Sequence, residues 1–188
     1  MNIYTKNITL SSMFITLGIL IPMVFHGAGL GSIFLPMFWP IAVSAFFLLL
    51  PWTVAVAIST PILSTMLTGM PPPPILYKMI LELSALSCFI YLFFRKTRLG
   101  TFFILMAGMI CAEFFAILGS FLIAPILGLP PRLYALSSIT RALPGIIIMM
   151  VFIPLIIKRL SGLPIFNMRR KDVQSTSRIL QPSCSRVE

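Results

Sequence analysis

Between Lys6 and Lys78 the chain contains no lysine, arginine, aspartate or glutamate. This stretch is far longer than the ~20 apolar residues that cross a bilayer once. Apolar runs recur along most of the 188 residues, and only 10% of all residues are charged. Soluble domains carry roughly 25% charged residues, so the composition excludes a soluble domain. Because the runs are continuous rather than alternating, they predict membrane-spanning helices.

The positions of these runs predict six membrane spans. The spans cover residues 8–25, 33–50, 52–68, 75–94, 101–125 and 138–159. Only Pro51 and Trp52 divide the second span from the third, but the combined length suits two spans joined by a tight turn. The expected fold is therefore an all-α integral membrane protein, a bundle of six transmembrane helices over residues 1–160. A basic cytoplasmic tail at 161–188 is predicted to be disordered.

The distribution of basic residues predicts which side of the membrane each segment occupies. With both termini in the cytoplasm, Lys6, the "RKTR" segment at 95–98 and the seven bases from Lys158 onward lie on the inner side. The three remaining bases are Lys78, Arg132 and Arg141. Cytoplasmic loops are enriched in Lys and Arg, so this orientation is favoured in a multi-pass protein of the plasma membrane. The same distribution accounts for the net charge of +10 without a nucleic-acid partner.

Few side chains within the apolar body can carry chemistry. Glu82 follows Lys78 by one helical turn, so the two charges either neutralise each other or serve a ligand. An ionised carboxylate in lipid is costly unless it is paired, which favours Glu82 as a ligand contact facing the bundle interior. Glu113 is expected near the midplane, without a partner at its own depth. Other candidates are His26, which could simply end the first span, and Arg132 and Arg141 near the outer side.

No sequence signature of catalysis is present. The first 171 residues contain no aspartate, and the chain has no HExxH, GxSxG or Walker motif. The cysteines Cys88, Cys111 and Cys184 form no CxxC pair, which favours small apolar fillers and a reduced thiol in the tail. The sequence therefore predicts a protein that is not an enzyme and that has no cofactor and no metal site.

Four stretches resemble, in the correct order, the substrate-binding (S) components of energy-coupling factor vitamin transporters. They are "FLPMFWP" at 34–40, "TPILSTMLTGMPP" at 60–72, "KMILEL" at 78–83 and "LPGIIIMMVFIPLI" at 143–156. The resemblance covers most of residues 8–160. It implies a bacterial or archaeal membrane protein that captures a vitamin or related small nutrient with high affinity. It also implies docking on a membrane T subunit carried by two ATPase subunits, which power release into the cell.

The resemblance implies a ligand site in the outer half, lined by the fourth, fifth and sixth helices. The "HGAGLGS" and "TGMPPPP" segments would cover it. Glu82 would contact the ligand, and Lys78, Arg132 or Arg141 would attract an anionic group. The implied apolar contacts are Met37, Met79 and Tyr134.

Two further points bear on partners and on ligand identity. Ser12 and Thr16 stand where the family has small residues that pack on the T subunit, and both are small enough for close approach. Phe38, Ser120 and Met149 stand where the family has His, Arg and Gln, so the ligand's identity does not carry over. The alternative from another class is a structural or assembly membrane protein without a small ligand.

Overall fold

Six α-helices make up nearly all of the chain that the structure describes. The computed structural model describes residues 3–27, 29, 35–97, 99–123 and 132–160, and the side chains at 3, 73–74, 120–123, 132–144 and 160 lie outside that description. The helices are α1 (Ile3–Gly27), α2 (Phe38–Phe47), α3 (Leu50–Thr68), α4 (Pro73–Lys96), α5 (Thr101–Ile123) and α6 (Arg132–Leu160). No strand occurs in these ranges.

Within the described residues, four helical segments are long and apolar enough to cross a membrane. They are Tyr4–Gly27, Leu50–Thr68, Ile75–Lys96 and Thr101–Gly119. With a rise of 1.5 Å per residue they extend about 28–36 Å, which matches a hydrocarbon core of about 30 Å. The chain therefore has the helices of a multi-pass membrane protein.

Apolar side chains form most of the exterior of the bundle as well as its core. Large apolar side chains such as Val24, Met66 and Phe114 are exposed on the outside of the bundle. The buried polar residues among those described are Asn7, Ser11, Ser44, Thr53, Thr60, Ser64, Glu82 and Ser87. Lipid can solvate such an apolar exterior, whereas polar groups in a membrane protein are placed between helices.

The second helix is shorter than the sequence predicts. In the described part of the span expected at 33–50, α2 covers only Phe38–Phe47 and is about 15 Å long, half the thickness of the hydrocarbon core. Leu48 and Leu49 are extended and end it. Pro51 is the second residue of α3, where its fixed φ and missing N–H suit the first helical turn.

The short helix α2 is the centre of the bundle. It packs against α1, α3, α4 and α6. Aromatic pairs join it to three of them: Phe14–Phe47 with α1, Phe46–Phe94 with α4 and Trp39–Phe152 with α6. A helix enclosed in this way needs apolar residues all round, which explains the sequence "FWPIAVSAFF".

The other five predicted spans each coincide with one helix. The largest difference in a boundary is at the start of α6, which begins at residue 132 instead of the expected 138. That all six segments cross the membrane with both termini cytoplasmic stays a prediction, and the tail at 161–188 lies outside the described residues.

α4 and α5 form the most extensive helix pair, and small residues allow their close approach. The small buried residues on α5 are Gly108, Ala112, Ala116 and Gly119. A Cβ atom added at Gly108 would meet Ile90, and one at Gly119 would meet Leu81. Small residues at intervals of four bring membrane helices together. These two contacts also fix how α4 and α5 are rotated relative to each other.

Candidate functional site

Two carboxyl groups meet between α4 and α5. Glu82 is nine residues past the start of α4, about 13 Å along its axis, and is only 6% exposed. Its carboxyl group lies within hydrogen-bonding reach of the carboxyl group of Glu113. The buried Oε2 of Glu113 has no hydrogen-bond partner in the described part of the chain. Two carboxyl groups this close require a proton or another cation between them.

This pairing corrects one expectation. The prediction that Glu113 has no partner at its own depth is wrong, because Glu82 lies beside it. Position along each helix can be estimated from sequence, but the rotation of one helix against another cannot. Here Leu81 packs on Gly119 and Ile90 on Gly108, and this antiparallel register brings the two acids together. The small-residue spacing on α5 is the sequence signal that could have revealed it.

Lys78 is the nearest basic residue on α4. It lies one turn before Glu82 and interacts with it electrostatically, without a direct hydrogen bond or ion pair in the described part of the chain. The neighbouring helices α2 and α3 contain no titratable residue. With all three groups ionised, Lys78, Glu82 and Glu113 together carry one uncompensated negative charge.

The turn between α3 and α4 is ordered by hydroxyl groups. Gly69 ends α3 in the left-handed conformation, with φ of 71°. The donors are Ser64, Thr65 and Thr68, and the acceptors are the carbonyl groups of Met70 and Pro71, at 3.0 to 3.3 Å. The prolines of "MPPPP" then start α4, with Pro72 as its N-cap. The turn therefore has a defined shape at the N-terminal end of α4, the end nearer to Glu82.

Other predicted site residues have varied environments. Met37 is buried in the apolar core, and Met79 is half-buried against it. His26 is exposed in the last turn of α1, where its carbonyl accepts a hydrogen bond from Gly29. A contact of His26 or Met37 with a ligand stays a prediction.

The exposed face of α1 carries the two residues predicted to contact a T subunit. Ser12 and Thr16 are both exposed, and each hydroxyl donates to the carbonyl four residues earlier in the same helix. Their polar groups are thus satisfied without a partner, and the contact itself stays a prediction.

Three predicted contacts belong to α6. Arg132, Tyr134 and Arg141 lie on that helix, but their side chains are outside the described residues, as is most of the "HGAGLGS" segment. Among the residues that are described, no group of three His, Cys, Asp or Glu could hold a metal ion. Cys88 and Cys111 are free, half-buried thiols.

Comparisons with protein-family models, curated proteins and solved structures found no match to this chain. Fold and site define a helical membrane protein with a buried pair of acidic residues between two long helices.

Proposed function

We propose that this chain binds a small nutrient within the membrane, as the S component of an energy-coupling factor transporter. The observation that carries the proposal is the Glu82–Glu113 pair, enclosed between apolar helices. An acidic residue at the centre of a membrane helix costs about 2.5–3.5 kcal/mol on insertion scales. Ionisable residues kept at that cost generally face a substrate or ion pathway.

Two parts of the family resemblance concern this same region. "KMILEL" contains Glu82, and "TPILSTMLTGMPP" contains the hydroxyl groups and the turn that they order. In the proposal the turn lies on the outer face and covers the ligand, while both termini are cytoplasmic. The exposed side of α1 with Ser12 and Thr16 would then be free to contact the T subunit.

Association is the first test. The tagged chain is co-expressed with a T subunit and two ATPase subunits, and the complex is expected to co-purify. A Ser12→Trp, Thr16→Trp double variant should lose the complex and keep its own stability, because large side chains prevent close helix approach. Failure of the unmodified chain to associate, with every subunit present in the membrane, would contradict the proposal.

Ligand binding is the second test. A thermal-shift screen of vitamins against the purified protein should find one that stabilises it, and Glu82→Ala should abolish that shift. Glu188→Ala removes a carboxylate from the tail and serves as the matched control. If no vitamin stabilises the protein and no T subunit binds, the structural or assembly role is favoured instead.

A further inference from the structure

We propose that the Glu82–Glu113 pair selects a ligand with a positively charged nitrogen, which replaces a proton held between the two carboxyl groups. The inference rests on the proposed function in taking that cation to be a transported nutrient. It differs from the sequence-based expectation of an anionic group drawn to basic residues.

The charges near the pair are few and can be counted helix by helix. α2 and α3 contribute none, and α5 contributes Glu113, with Cys111 as its other titratable group. α4 contributes Glu82 and Lys78 at this level, and α6 carries Arg141, whose side chain is outside the described residues. Among the described side chains, two carboxylates and one ammonium group leave one negative charge without a counter-charge. An unpaired charge in a membrane interior is costly, so one positive charge must join them.

The hydrogen-bonding needs of the pair lead to the same ligand chemistry. Ionised carboxylates only accept hydrogen bonds, and the buried Oε2 of Glu113 has no donor among the described residues. An ammonium group offers three N–H donors and a guanidinium-like group five, so one such group can serve both carboxylates. A carboxylate or phosphate would instead add a third negative charge beside the first two.

When the ligand is absent, a proton shared by the two carboxyl groups supplies the positive charge instead. One carboxyl group is then neutral, the other is negative, and Lys78 supplies the compensating positive charge. When a cationic ligand enters, the shared proton leaves and the total charge of the site is unchanged. Cation binding should therefore weaken as the pH falls, because protons compete for the same position.

The test uses n-butylammonium as the probe, with butanol and butyrate as its neutral and anionic counterparts. Dicyclohexylcarbodiimide, an apolar reagent that modifies protonated carboxyl groups, is added to the full-length protein in detergent, and mass spectrometry quantifies the adducts at Glu82 and Glu113. We expect butylammonium to protect these residues, increasingly so as the pH rises. Butanol and butyrate should not protect them.

Variants give the second readout. Glu82→Gln and Glu113→Gln should each require about tenfold more butylammonium to protect the remaining carboxyl group, equivalent to about 1.4 kcal/mol. Glu188→Gln makes the same change in the tail and should behave as the unmodified chain does.

Several outcomes would overturn the inference. One is absence of protection by butylammonium, and another is equal protection by butanol or butyrate. A third is modification that appears only in Arg141→Gln, since Arg141 would then be the permanent counter-charge. The test does not depend on the folding of the Gln variants, because butylammonium, butanol and butyrate are compared on the unmodified chain. If butylammonium protects the carboxyl groups but no T subunit associates, only the proposed function is contradicted. If a T subunit associates but butylammonium does not protect, only this inference is contradicted.

Discussion

Hydroxyl side chains have two distinct uses among the described residues. In α1, Ser12 and Thr16 bond only to the backbone of their own helix. Buried Ser44 and Thr53 instead bond to each other at 3.2 Å and join α2 to α3. At the end of α3 the hydroxyl of Thr68 also accepts a hydrogen bond from the amide of Met70 at 3.3 Å. In a chain with so few charges, hydroxyl groups therefore supply much of the directional bonding.

Thr68→Val should loosen the turn after α3. The substitution keeps the shape of the side chain and removes the acceptor of the Met70 amide. A hydrogen bond contributes about 0.5–1.5 kcal/mol, so exchange of this amide should accelerate roughly two- to tenfold. Hydrogen exchange followed by mass spectrometry measures it. Thr16→Val, which removes a hydroxyl bonded only within α1, should leave Met70 unchanged, and equal rates in both variants would contradict the role of Thr68.

Helices also approach closely at a third glycine, Gly18, where α1 meets α3. A Cβ atom at Gly18 would lie 2.5 Å from Cγ2 of Thr60 and 3.7 Å from Pro40. Thr60 is fully buried, and its hydroxyl donates to the carbonyl of Val56 at 2.7 Å. Because Thr60 is β-branched and held by this bond, it cannot rotate away from an added methyl group.

Gly18→Ala should therefore destabilise the bundle by about 1–3 kcal/mol, the usual cost of overpacking. Thr60→Ser removes the methyl group in the way and keeps the hydroxyl, so the double variant should recover most of the loss. Gly27→Ala is the control, since nothing lies within 4 Å of the added Cβ atom there. Thermal unfolding in detergent compares the variants. Equal stability of Gly18→Ala and Gly27→Ala would show that the two helices do not touch here.

For the whole molecule, the sequence predicts where helices lie better than how they face each other. α3, α4 and α5 begin at residues 50, 73 and 101, against expected starts at 52, 75 and 101. Apolar runs locate these helices because every backbone polar group in lipid must be bonded within the segment. The shortness of α2 was missed because apolar composition does not distinguish helix from extended backbone at Leu48 and Leu49. The Glu82–Glu113 pair was missed because it depends on helix rotation.

The predicted orientation can be tested with two matched positions in a variant that lacks Cys88, Cys111 and Cys184. Met70 and Leu99 are 54% and 52% exposed, at the turns before α4 and before α5. A membrane-impermeant maleimide should modify Met70→Cys in intact cells and Leu99→Cys only after permeabilisation. The basic residues near Leu99 should keep that turn in the cytoplasm. The reverse labelling pattern would contradict the orientation.

The shortness of α2 has a consequence for how the protein is made. A helix of about 15 Å covers only half of the hydrocarbon core, so the extended backbone beside it has to be enclosed by protein rather than by lipid. Three of the four helices that enclose it, α3, α4 and α6, are synthesised after it. The insertion machinery must therefore shelter α2 until those later helices emerge from the ribosome. The central helix of the bundle is therefore synthesised early, but it is fully enclosed only after α6 has been synthesised.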